Sequence, residues 1–320
     1  MPAVTGDTAR GISEQVAGRL AAIDALLPAP VAAEGCGAEL AVTGPGGAPA
    51  AMATCEHWAG EPGSLDLTWG AARRFQLTPQ VAGPDVAAAL DGLLARWRDH
   101  LADVPDAAEA DTAAVITWPT RDIDGARPLL RHGLAPRAVI AARAAGRRPA
   151  TAVPVDPDVR IRRAGSADLE AVVRLGMETI RYDAHFGTVV ERPETPGALR
   201  HEAARVLAAP DPWVWLAERD GAAIGLLYAE PPEFAGWIAP MVRAEPVAYL
   251  ELMDVLAGER GGGVAAALAA QLHRAADESG VAVTLLHYEQ VNPLSGPFWH
   301  QQGYRPLWTS WEARPASTLR

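Results

Sequence analysis

The sequence has 320 residues, which at roughly 150 residues per domain makes about two domains, each long enough to bury a core of its own. Hydrophobic residues account for 49% and charged residues for 21%, with a mean hydropathy of +0.01; that balance belongs to a soluble globular protein and excludes a disordered tail or a small stapled scaffold. Acidic residues outnumber basic ones, 39 to 28, for a formal charge of -11, and lysine is absent, so phosphates would meet net repulsion and bulk nucleic-acid binding is not expected.

The first half opens on a helical pattern, with Ile12, Val16, Leu20, Ile23 and Leu27 at helical spacing. Strand-like runs at 38–43 and 50–58 flank a Gly/Pro turn at 44–47 and predict a hairpin. Residues 65–69 read as a third strand, and Val86, Leu90, Leu93, Leu94, Trp97 and Leu101 form one apolar helical face after Pro84 and Asp85. An apolar strand at 113–118 and a helix at 122–132 follow. The second half repeats this order with a strand at 159–162, a helix from Ser166 and a second helix at 196–207. Strands at 213–218 and 222–229 are joined by a hairpin turn at Asp220 and Gly221. A long polar loop at 231–246 leads to a strong strand at 247–255, and the Gly-rich stretch 258–263 opens a helix. A strand at 281–288, a short helix at 293–302 and a last strand at 304–311 complete the chain.

Cys36 and Cys55 are the only cysteines, too far apart for a redox or zinc pair, so a reducing cytoplasm fits best. The opening residues carry Asp7 and Arg10, and no apolar run approaches the length of a membrane span; neither a signal peptide nor a membrane segment is expected. Asp122, Gly133 and Pro136 have counterparts 170 positions later in Asn292, Gly303 and Pro306, with the same order of strand, polar turn, short helix, glycine and strand around them. That spacing predicts an internal duplication. The segment 143–157 carries Pro149, Pro154 and Pro157 and almost no large apolar side chain, the profile of a connector. The expected units are 1–148 and 158–320, joined by 149–157.

After the strand at 247–255 the chain passes through Arg260, Gly261, Gly262 and Gly263 straight into a helix. Glycines let the backbone approach an anion closely, and unpaired N–H groups with the helix dipole favour negative charge there. Residues 260–265, Arg-Gly-Gly-Gly-Val-Ala, resemble the R/Q-x-x-G-x-G/A pyrophosphate loop of the GCN5-related N-acetyltransferases (GNAT), with Val255 at the usual distance before the Arg. Asn292, Ser295, Phe298, Trp299, Gly303 and Tyr304 then resemble that family's N-x-x-A-x-x-L-Y-x-x-x-G-F segment. The resemblance implies an α/β protein of two GNAT-like domains, each a mixed, mostly antiparallel twisted sheet flanked by helices, with a strand splay at the acetyl-CoA site. It also implies acetyl-CoA held by Val255, Arg260, Gly261, Gly262, Gly263, Val264, Ala265, Asn292 and Trp299, and a first half that is a degenerate copy, since nothing at 69–86 resembles the Arg-plus-glycine loop.

Acetyl transfer to an amine needs a base for the ammonium proton and benefits from an acid for the departing thiolate. By alternation Tyr249, Glu251, Met253 and Val255 share one strand face and Leu250, Leu252 and Asp254 the other, unless a bulge changes the register. Glu251 is the first candidate base and Asp254 the second. Trp299 stands where the family carries its tyrosine acid, and indole has no usable proton, which leaves Tyr288, Ser295, His300 or water for that role. Tyr182, Phe186, Trp237 and Tyr249 are candidates for the acceptor pocket, and acidic neighbours suit a cationic amine. His287 and His300 read as structural residues, and no metal-ligand spacing is present. The expected activity is acetyl transfer from acetyl-CoA to a small-molecule amine; a non-catalytic acyl-CoA sensor, an interaction module and an O-acyl or antibiotic acetyltransferase stay open, as does a homodimer.

Overall fold

The computed structural model describes residues 6–30, 37–44, 47–147 and 154–320; Cys36 and much of the expected connector lie outside the described residues. Helix α1 (Gly6–Ile23) buries Ile12, Val16 and Leu20. Strands β1 (Ala38–Thr43) and β2 (Pro49–Ala59) form the expected hairpin. Residues 65–69 are a 3-10 turn (Leu65–Trp69) and not a strand. Their alternation imitates a strand, but the flanking Gly63 has φ +80 and the turn packs on a helix of the second half. The third strand is β3 (Arg73–Val81), whose paired arginines, glutamines and Pro79 hide it in the sequence. Pro79 lies past Leu77, the last β3 residue paired with the next strand, so its missing N–H costs that ladder nothing. Helix α2 (Val86–Ala102) buries Trp97 fully in one core with Phe75 and Leu77. Then come β4 (Thr112–Pro119), α3 (Ala126–Arg131) and β5 (Ala135–Ala144).

The second half runs β6 (Val159–Arg163), α4 (Leu169–Ala184), α5 (Thr195–Leu207), β7 (Val214–Arg219), β8 (Ala222–Glu230), β9 (Val247–Val255), α6 (Val264–Glu278), β10 (Val283–Glu289), α7 (Ser295–Gln301) and β11 (Arg305–Ala313). The repeated order is present: Gly133 after α3 and Gly303 after α7 both take left-handed backbone, φ +83 and +91, as a residue ending a helix commonly must.

Among the described residues the two mixed sheets are hydrogen-bonded into one of eleven strands, in the order β1-β2-β3-β4-β11-β5-β10-β9-β8-β7-β6. Each half sends its last strand into the other: β5 pairs β10, and β11 pairs β4. The two junctions share one register, since Leu286 faces Ala141 at one and Ile116 faces Trp311 at the other, the same pair displaced by the repeat. Helices α2 and α6 cover one face of the sheet, while α1, α4, α5 and the loop before β9 cover the other. Along β5 the side chains alternate, Val139 and Ala141 toward α6, Ile140 and Ala142 toward α1.

Candidate active site

Strands β9 and β10 run parallel and are paired only from Val247 to Leu250 and from Val283 to Leu286. Beyond those pairs they part, and a cleft of about 1330 Å³ occupies the opening. Facing β8, the register slips by one residue: Tyr228 pairs with Leu252 and Ala229 with Leu250, leaving Glu251 as the extra residue of a bulge. The bulge resets the alternation after Glu251. Leu252 packs with α4 and α5, while Met253 packs with α6 as Val255 does. The expected sharing of one face by Tyr249, Met253 and Val255 is therefore corrected.

At the carboxyl end of β9 the backbone forms an anion seat. Gly261 and Gly263 take φ +86 and +79, positions that any side chain would strain. Gly263 is the N-cap of α6; the first N–H groups of a helix have no intrahelical partner, and among the described residues no side chain caps these. Arg260 turns back so that Nε donates to the Val255 carbonyl at 2.8 Å, its guanidinium 5.2 Å from the centre of the Tyr182 ring and 3.7 Å from Asp254. Asp254 is buried, with Oδ2 lacking a hydrogen-bond partner among the described residues. Burial pushes its carboxyl up to about 6 against the pull of Arg260.

Glu251 stands on the cleft wall. It is half-buried, and this desolvation, with Glu230, Glu202 and Asp66 nearby, pushes its carboxyl up to about 8. Asn292 shapes the turn before α7: its Oδ1 accepts from the N–H groups of Leu294 and Ser295, at 2.9 and 3.2 Å. Its Nδ2 donates to Asp183 Oδ1 at 3.0 Å. The Tyr288 hydroxyl lies 3.1 Å from His300 Nε2, and Trp299 is buried, edge-on to Phe298 and Tyr304.

Of the residues singled out in the sequence, Glu251, Asp254, Ser295, Tyr288, Val255, Arg260, Gly261, Gly263, Val264, Ala265, Asn292, Trp299, Tyr182, Trp237 and Tyr249 all line this one cleft. Gly262 and Phe186 are not among the lining residues; Phe186 packs edge-on to Tyr182 from behind. Asp183, His287 and Glu289 line the cleft too and were not selected from the sequence. Burial pushes Asp183 up to about 6 and Glu289 up to about 7, and pulls His287 down to about 4. His287 is the first residue past Leu286, where the strands part. Among the described residues no group of three or more His, Cys, Asp or Glu could hold a metal ion.

The first half walls the cleft with Trp58, Leu65, Asp66, Trp69 and Arg74. The Leu65–Trp69 turn is clamped by the α4–α5 connection: Val190 N–H donates to the Thr68 carbonyl at 2.8 Å, and Arg192 Nε to the Leu67 carbonyl at 2.9 Å. The equivalent splay of the first half, between β3 and β4 beyond Leu77 and Ile116, is differently furnished. Asp85 caps α2 by accepting from Ala88 N–H at 2.9 Å, Pro84 lacks an N–H, and Gly83 N–H goes to Gln15. Where Asp183 meets Asn292 in the second half, Arg19 of α1 pairs with Asp122 and lies over Trp118.

Residues 176–304 match the model of the acetyltransferase (GNAT) family. This region is a GNAT domain. Among solved structures, a GCN5-related N-acetyltransferase from Sphaerobacter thermophilus is similar at 16% identity and TM-score 0.55, over 87% of this chain and 80% of that one. A GNAT-family acetyltransferase from Colwellia psychrerythraea is similar at 13% identity and TM-score 0.50, over 82% and 80%. At such identities the likeness speaks for the fold, and its coverage takes in both halves. No curated protein matches the chain. GNAT membership makes acetyl transfer the general activity of the 176–304 domain, and no helix among the described residues is long and apolar enough to cross a membrane.

Proposed function

We propose that the protein is an acetyl-CoA-dependent N-acetyltransferase that moves the acetyl group to a small amine by direct attack in a ternary complex. One juxtaposition carries the proposal: the bulged Glu251 and the uncapped glycine start of α6 open onto the same cleft, at the two ends of the parted stretch 251–255 of β9. The N–H groups at 263–265, with Arg260, would hold the pyrophosphate, and the open edge of β9 up to Val255 would pair with the pantetheine arm. The unpartnered Asp254 oxygen fits a hydroxyl or amide donor on that arm or on the acceptor.

Glu251 takes the ammonium proton, directly or through one water, and its raised pKa sets the pH at which it can do so. Asp254 is the next candidate. Tyr288, whose proton is held by burial, and Ser295 at the start of α7 are the donors for the thiolate in place of the family's tyrosine. A thiol leaves at moderate pH even unassisted, since its own pKa is near 8.5. Tyr182, Trp237 and Tyr249 shape the acceptor side. Residues 1–148 act as a structural unit that walls this side and binds no cofactor of its own, in keeping with the Asp85 cap and the Arg19–Asp122 pair. Trp299 favours a second reading, a domain that binds acyl-CoA without turnover. Native mass spectrometry with acetyl-CoA, followed by a thiol-release assay over a panel of amines, separates the two: binding with thiol release supports transfer, and binding with none from any amine supports the sensor.

A further inference from the structure

Trp237 exposes 56% of its surface yet is held in one orientation. Its Nε1–H donates to Glu230 Oε2 at 2.8 Å, and its ring stands perpendicular to that of Tyr249, with centroids 4.8 Å apart. His287 flanks the same tyrosine: its Nδ1 is 2.9 Å from the Tyr249 hydroxyl, and its ring lies within 8° of parallel to Trp237, centroids 6.4 Å apart. All three rings line the cleft. Because the indole N–H and the phenol are already engaged, what the group offers a ligand is chiefly π surface. His287 adds no charge at neutral pH, since burial holds its pKa down.

Glu230 sits directly across from Tyr249 in the β8–β9 ladder. The hydrogen bond to it comes from a neutral indole, and Arg205, the cation that acts on it, is engaged with Glu202 through both Nε and Nη2. An apolar ligand on these rings would leave Glu230 desolvated beside it. A cation is attracted by both the ring faces and the carboxylate, the rings alone favouring it by about two- to thirtyfold. Glu251 lies two residues farther along β9, at the bulge, close enough to Glu230 for the two carboxyls to act on each other.

We infer that the acceptor is a dication, a primary amine that reacts at Glu251 and carries a second cationic nitrogen seated on Trp237, His287 and Tyr249 beside Glu230. The spacing suits a short alkyl diamine. The role of the reacting nitrogen rests on the acetyl-transfer proposal above, whereas the seat stands on the ring geometry.

Two measurements on the full chain test this. Without acetyl-CoA, choline and its neutral isostere 3,3-dimethylbutan-1-ol are titrated by calorimetry. Choline should bind about tenfold tighter, Trp237→Leu should erase the preference, and Trp237→Phe, which keeps a ring face, should retain most of it. Equal affinities, or a preference that survives Trp237→Leu, overturn the seat; acetyl-CoA affinity measured in parallel reports that each variant is folded. In turnover, kcat/KM for 1,4-diaminobutane should exceed that for 1-aminobutane about tenfold, with the ratio falling toward one in Trp237→Leu and Glu230→Gln. A ratio near one in the unaltered protein overturns the dication. Because the choline titration needs no acetyl transfer, absence of thiol release with every amine counts against the proposed activity alone.

Discussion

Replacing Glu251 by glutamine preserves the shape of the bulge and removes the basicity. With its carboxyl near pH 8, about a tenth of the free protein carries the ionised base at pH 7 and about nine-tenths at pH 9, so kcat/KM should rise roughly tenfold across that interval. An alkyl amine, whose pKa of about 10.4 keeps it protonated across the interval, leaves the profile to Glu251. The glutamine variant should lose about a hundredfold or more in kcat/KM, lose the inflection near pH 8, and bind acetyl-CoA as before. The same shift has a stability consequence of fixed sign. Between the ordinary glutamate value of 4.5 and about 8 the folded protein holds a proton on Glu251 that the unfolded chain has released, so stability falls as pH rises through that window. Asp183, Asp254 and Glu289 are shifted the same way, and only the difference between the two proteins isolates Glu251: the variant should gain in Tm relative to the parent from pH 5 to pH 8. Unchanged turnover with the inflection intact refutes Glu251 as the base, and a Tm difference that does not vary with pH refutes its burial.

The exchanged strands predict that a 154–320 fragment leaves β10 without β5 and strips β11 of both neighbours, exposing open edges. It should aggregate when made alone and be rescued by co-expression with 1–147; a soluble fragment as heat-stable as the whole chain contradicts this. Asp85→Ala removes the cap of α2 and should cost about 1 kcal/mol in chemical denaturation while leaving acetyl-CoA affinity unchanged. A loss of that affinity would place a ligand in the first half.

Much of the fold was legible because the apolar faces are strongly periodic. Val86 through Leu101 could only bury one side of a helix, and Asp220 with Gly221, at φ +51 and +76, is a turn that the sequence names. The site loop was legible because Arg260 and the glycines leave few other uses for a strand-to-helix turn. What stayed hidden was non-local. Nothing in β5 or β11 says which copy's β-strand it will join, since Ala141 opposite Leu286 and Trp311 opposite Ile116 occupy equivalent places. The slip at Glu251 depends on how β8 pairs across from it, so alternation along β9 alone misplaces Met253 and Val255. Asp183 and His287 gain their roles from partners more than thirty positions away, Asn292 and Tyr249.

Calorimetric titration of acetyl-CoA into the unaltered chain and into Gly263→Glu tests the central claim most directly. The variant places a carboxylate at the uncapped start of α6, on a residue whose φ of +79 disfavours any side chain. One molecule should bind per chain, and binding should be lost in a variant whose far-ultraviolet circular dichroism is unaltered. Two sites per chain, or an affinity in Gly263→Glu equal to that of the parent, would place the cofactor elsewhere and contradict the account.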